Sequence, residues 1–347
     1  MKKCVLLFLA FMFLAGPTGA LAQDLGTPPV VTQQKIEIAL YGREASGGLV
    51  ERLARVEKDL FGRELPGSLS ERLNGLESFI IDGSLGQPPM VFKLGVCEWS
   101  IGHEVYSQKP VSTRISQLER VLEGAATEDK PLAMRLERLI SLLFPDQISW
   151  AEILLPANYV FKVSFVDTIR PATAKKGDEV QLKLEENLIV DGYLVAPKGS
   201  LVFAKVESVK QPKSFGRPSE ITFAFDYLDP LGPETIPVFL GDASVTKAKS
   251  DESVAAAIGT SLVGVAALGP AGLIGGFFVR GDAIDIPAGT PIFLETAKEM
   301  TVRAFPVPEG MLKKVQSGTD GLQVGSYTGS EEDGVSADIG DKWEELK

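Results

Sequence analysis

The chain has 347 residues, 44% hydrophobic and 23% charged, with a formal net charge of −11. These globular proportions exclude a disordered or fibrous chain, and the acidic balance excludes binding nucleic acid or anionic lipid through bulk electrostatics. One histidine and two cysteines give too few soft ligands for a metal constellation, and no cofactor is expected.

Residues 1–22 read as an export signal. Lys2 and Lys3 precede an apolar core from Val5 to Leu14, Gly16 and Pro17 break the helix, and Ala20-Leu21-Ala22 offers small residues for cleavage before Gln23. At 1.5 Å per residue that core is too short for a hydrocarbon layer of about 30 Å, so it predicts secretion rather than anchoring. Cys4 lies before the core and is not placed for lipidation. Cleavage leaves Cys97 as the only cysteine, so no intramolecular disulfide can form. The expected location is the periplasm or the outer membrane, with the extracellular space as an alternative.

Residues 23–147 read as a helical-repeat region. LYGREASGGLVERLARVEKD from Leu40 is followed by LFGRELPGSLSERLNGLESF from Leu60, and a looser pair follows from Ile115 and Leu132. Four copies are expected, near 40–62, 60–82, 112–124 and 131–145. Apolar residues step by four, three and four through Leu49, Leu53, Val56 and Leu60, then Leu69, Leu73, Leu76 and Ile80, and again Leu132, Leu136, Leu139 and Leu143. That spacing makes a helical, coiled-coil-like seam. Helices this short are marginal alone and must pack on a neighbour or on another chain. The repeated Arg and Glu residues are expected on the solvated face.

Between the two pairs, Gly83 to Ser112 shows no helical period and predicts a short strand or loop packed on the helices. Cys97 and His103 lie there, without a third orienting group or a protease signature, so catalysis is not expected.

Residues 153–306 change to a β texture. Segments from Leu154, Leu194 and Asp285 each open on a proline turn (Pro156, Pro197, Pro287) completed by Asn158, by Gly199 with Ser200, or by Gly289 with Thr290, and then alternate. With a turn at Asp191-Gly192 and further strands from Gly177 and Ser219, this predicts a small barrel or sandwich. The fold class is therefore α+β.

Val254 to Val279 is uncharged and Gly-rich, an insertion between two strands of this β region. Its flanks belong to one folded unit, which disfavours a single membrane span and leaves a protein-buried hairpin or a membrane-inserted, oligomeric one. Gly269-Pro270 divides it into two arms. Gly259, Gly264 and Gly272 with Gly276 remove side-chain bulk, and Phe277 and Phe278 follow; an insertion into lipid would require helical arms. The tail, 317–347, is acidic and predicts disorder, with Trp343 and Leu346 as a candidate docking peptide.

The order of β features carries a resemblance. A turn and strand from Val195 to Val206, a Phe215-Gly216-Arg217 link, a hairpin ending in Ile236 to Val238, the apolar insertion and the Ile286 to Thr290 turn together resemble the C-terminal β-barrel domain of the type IV secretion and conjugation core-complex subunit. The resemblance spans roughly Leu154 to Val302 and implies a barrel with an apolar antenna that assembles in an outer membrane. The N-terminal half departs from that family.

No phosphate-binding loop or nucleophile motif is present. The expected function is a non-enzymatic structural or assembly component of the cell envelope. It would self-associate or bind an envelope protein, with the outer membrane as a further contact. The alternative is a soluble periplasmic or secreted binding module whose repeats recognise a cell-wall or protein ligand.

Overall fold

The computed structural model describes residues 27–84, 86–210, 219–251, 263–268, 274–279 and 285–312. The expected signal peptide and acidic tail lie outside these residues.

Six helices precede the strands: α1 (Pro29–Tyr41), α2 (Leu49–Phe61), α3 (Leu69–Glu77, running into a π-helical turn Ser78–Asp82), α4 (Met90–Gly102), α5 (Val111–Glu123) and α6 (Leu132–Leu143). Two were not expected. Helix α4 occupies the segment read as strand or loop. It buries Met90, Phe92, Leu94, Val96, Cys97 and Trp99 around its whole girth, and a helix apolar all round carries no amphipathic period to read. Helix α1 escaped notice for the opposite reason. Its buried face includes Thr32, Gln33 and Glu37 beside Ile36 and Leu40, so polar residues interrupt the stripe.

The links are built alike. Gly42, Gly62 and Gly124 end their helices in the left-handed region (φ 74, 76 and 81°), each N–H closing on the carbonyl four residues back. His103 does the same after α4 at φ 54°. A Cβ on Gly42 would sit 3.1 Å from Cγ of Pro110, which opens α5, and one on Gly62 would sit 3.1 Å from Cγ of Pro131, which opens α6. Each left-handed corner of the first half is thus roofed by the proline that starts a helix of the second half.

The strands are β1 (Ala151–Leu155), β2 (Val160–Phe165), β3 (Glu179–Leu184), β4 (Leu188–Val190), β5 (Tyr193–Ala196), β6 (Leu201–Lys210), β7 (Ser219–Leu228), β8 (Ile236–Phe239), β9 (Val263–Leu268), β10 (Ile274–Val279), β11 (Pro291–Thr296) and β12 (Met300–Pro306), with α7 (Asp242–Ser250) after β8. Strands β6-β3-β2-β11-β8-β7 close into a six-stranded barrel through the β6–β7 pairing, and β1-β12-β5-β4 form a half-barrel sheet. Two register shifts in the β6–β7 ladder, at Phe203/Ala204 and Val206/Ser208, supply the local bend that closure of so small a barrel needs. Alternation sends Phe161, Val163 and Phe165, Val180, Leu182 and Leu184, and Ile221, Phe223 and Phe225 into one core. The predicted turns at Asn158, Asp191-Gly192, Gly199 and Gly289 all adopt positive φ.

The helices dock on the half-barrel. Leu194, Leu231, Phe305 and Val307 belong to the helical core, and Phe305 meets Trp99 and Phe144 edge-on at 6.2 and 6.1 Å. Val105 donates its N–H to the Lys198 carbonyl at 2.8 Å. Gly199, left-handed at φ 87°, has the Val105 carbonyl where a Cβ would stand, so that corner accepts only glycine.

Candidate functional site

The repeats are held by a device that the sequence reading put in the wrong place. Of the Glu and Arg residues expected on the solvated face, Glu51 and Glu71 are exposed, but one Glu and one Arg register of the repeats turns inward. Glu37 and Glu57 are 0% exposed, Glu98 0%, Glu119 2%, Arg52 7%, Arg114 7% and Arg135 6%. Each glutamate receives a two-pronged arginine from the next helix, 15 or 16 residues on. Arg52 reaches Glu37 at 3.0 and 2.7 Å, Arg72 reaches Glu57 at 2.7 and 2.5 Å, Arg114 reaches Glu98 at 2.8 and 2.6 Å, and Arg135 reaches Glu119 at 2.9 and 2.7 Å. Each also accepts the backbone N–H eight residues ahead: Ala45, Leu65, Tyr106 or Thr127. One carboxylate therefore ties its own helix, the link after it and the helix beyond. Planar guanidinium and carboxylate groups match in this fork, which is why the basic partner is Arg.

The device exposes a longer periodicity. Glu37, Glu57, Glu77, Glu98 and Glu119 recur every twenty or twenty-one residues, and Arg52, Arg72, Lys93, Arg114 and Arg135 do likewise. The array thus runs through α3 and α4 without a gap, and only its third clamp is open. There a lysine replaces arginine; Glu77 bonds Lys35 on α1 at 2.9 Å, and Lys93 bonds Glu137 on α6 at 2.7 Å. The π-helical turn at Ser78–Asp82 lies at the same point. This Glu and Arg register was visible in the sequence, but the charge was read as solvent-facing.

Burial opposes ionisation of Glu37, yet the Arg52 guanidinium, the Ala45 N–H and the Gln33 amide outweigh it and hold the carboxyl below its ordinary value. Bonding to Glu37 and to Glu57 raises Arg52 and Arg72 respectively. Of the seam residues, Leu53, Val56, Leu60, Leu73, Leu76, Leu136 and Leu139 are buried, while Leu49, Leu69 and Leu143 are half-buried at helix ends. Cys97 is fully buried, and burial followed by the nearby Glu98 and Glu137 charges pushes its thiol upward, away from the nucleophilic form. His103 is a left-handed helix cap against Trp99, with ring centroids 6.0 Å apart. Among the described residues no group of three His, Cys, Asp or Glu could hold a metal ion.

Among the described residues, the uncharged insertion does not show the helical arms that insertion into lipid was expected to require. Its described parts are strands. β9 and β10 pair antiparallel, Ile274 opposite Leu268 through Val279 opposite Val263, and β10 pairs with β7, Ile274 opposite Ala224 through Val279 opposite Ser219. β8 takes only Tyr227 and Leu228 of that β7 edge. The rest of the edge is therefore open to β10, and its row of backbone N–H and C=O groups requires partners. Gly264 lies in β9, with Phe278 as its β10 partner; Gly276 and Phe277 also lie in β10. Gly259, Gly269, Pro270 and Gly272 lie outside the described residues. Close helix packing across Gly272 and Gly276 does not apply to a strand at Gly276. No helix among the described residues is long and apolar enough to cross a membrane.

No protein-family model matches this chain, and no curated protein matches it.

Proposed function

We propose that this is a non-enzymatic, exported component of the cell envelope, with a structural or assembly role, that engages the outer membrane or an envelope complex through the β9–β10 hairpin. One observation carries the reading: the uncharged Val254 to Val279 stretch supplies a hairpin added to the β7 edge, beyond the strands that close the barrel. An uncharged strand at the end of a sheet has none of the charges or prolines that commonly guard such edges, and so is suited to a partner or an apolar phase. The clamped helical array supplies a rigid body for assembly or tethering, and self-association or an envelope protein is the expected partner. The C-terminal barrel's resemblance to the type IV secretion core-complex subunit supports the same reading.

Fractionation of the native cells, carbonate and detergent extraction of the membrane pellet, and sizing of the released material test it. Resistance to carbonate with a large detergent-released particle is the expected result. Full release as a soluble monomer overturns it in favour of a periplasmic or secreted binding module. That second reading draws on the β10–β7 ladder, in which the hairpin is already bonded to protein.

A further inference from the structure

The geometry points to α7 as a clasp that fastens the uncharged hairpin to the barrel wall, with Glu295 as its positioning residue. Helix α7 is the last described element before the insertion, and it lies against β11, β2 and β9. Strand β9 is thus paired to β10 on its ladder and neighboured by α7.

The seat under α7 is mostly polar. Glu295, on β11 and 3% exposed, accepts the N–H of Ser244 in the first turn of α7 at 2.6 Å. That bond satisfies one of the free amides at a helix start and sets a carboxylate against the positive end of the helix. Ser244, 0% exposed, turns its Oγ back on Gly241, accepting its N–H at 2.9 Å and donating to its carbonyl at 2.8 Å. A Cβ on Gly241 would lie 2.5 Å from Oε1 of Glu295 and 2.7 Å from the Phe239 ring, so a larger residue there would displace one of these side chains. At the other end Asp251 meets Lys162 of β2 at 3.4 Å. Between these two fastenings the apolar contact is modest: Ala248 and Phe293, with Val160 beside them, form a small cluster of their own, and the half-buried Val245 packs against the barrel core. A helix of nine residues with so little apolar burial does not persist by itself. Its bonded ends supplement the Val245 and Ala248 contacts, and loosening an end should release it without unfolding the barrel.

Hydrogen exchange on the full-length chain tests the clasp. Glu295→Ala should speed exchange of the α7 amides roughly ten-fold, the size of a lost helix cap, and speed β9 and β10 in step. The half-barrel and α1 to α6 should keep their wild-type protection. Glu295→Gln, which retains an acceptor oxygen, should stay near wild type. Faster α7 with β9 and β10 unchanged overturns the proposal. Should Glu295→Ala lose protection everywhere, Asp251→Asn loosens the other end and is read by the same two outcomes.

The consequence for membrane capture rests on the function proposed above. With phosphatidylcholine vesicles, Glu295→Ala should change the captured fraction several-fold and Glu295→Gln should restore it. Wild-type chain that vesicles do not capture removes the membrane reading, while the coupled exchange of α7 and β9 still decides the clasp.

Discussion

A buried carboxylate is stable only when its lone pairs are occupied, and each clamp glutamate illustrates how short side-chain reach and backbone geometry achieve this together. Removing one partner leaves a charge without compensation, at a cost of about 3–5 kcal/mol for a fully buried pair. Arg72→Ala should fall near the lower end, about 3 kcal/mol, because its side chain is 13% exposed; urea unfolding of the variant measures this. The pH dependence follows from Glu37. Its folded carboxyl lies below the ordinary 4.5, so its contribution is present above that value and disappears as pH falls through the lower folded one. Glu37→Gln should therefore be less stable than wild type at about pH 7 and should lose less on acidification towards about pH 3.5. Parallel acid limbs in the two proteins would contradict the assignment. Gln33 offers the opposite test. Its Oε1 is buried without a partner, where the same register of the other repeats holds Leu53, Leu94 and Ile115. Gln33→Leu gives up the amide bond to Glu37 but removes an orphaned carbonyl, whose burial costs about 1–3 kcal/mol, so thermal denaturation should show equal or higher stability.

At the scale of elements, the links do as much as the helices. The left-handed corners at Gly42 and Gly62 each lie under a proline from the other half, so Gly62→Ala combines an unfavourable φ with a Cβ 3.1 Å from Pro131. The expected loss is about 1–2 kcal/mol, measured by thermal denaturation, and Gly48→Ala, with nothing within 4 Å, is its control. The amphipathic helices α2, α3, α5 and α6 were legible because their stripes are apolar and periodic. α4 was illegible because every face is covered, and α1 because its stripe contains the polar half of a clamp. The strands were legible from their proline turns and alternation. Their closure was not, since it depends on which edges meet and where the β6–β7 ladder shifts register. The hairpin illustrates the same limit. Composition marks Val254 to Val279 as apolar and small, but strand or helix was decided by the open edge of β7 beyond β8.

The described residues form two main cores that meet where Leu194, Leu231, Phe305 and Val307 of the β region enter the helical core. Gly199→Ala places a methyl group against the Val105 carbonyl at this junction. It should lower the cooperativity between the two halves, seen as separation of a single thermal transition into two, while each half keeps its secondary structure. A single unchanged transition would mean that the junction yields elsewhere.

The sequence by itself determined the class of fold, the turn positions and the uncharged insertion, because those depend on local spacing, backbone-permissive residues and composition. Tertiary structure decided where the charged residues of the repeats lie, since burial of Glu and Arg is favourable only when the partner helix delivers the other half of the fork. It also decided that the insertion adds strands to β7, because an unpaired strand edge, and not the insertion's own composition, dictates the conformation that satisfies both backbones.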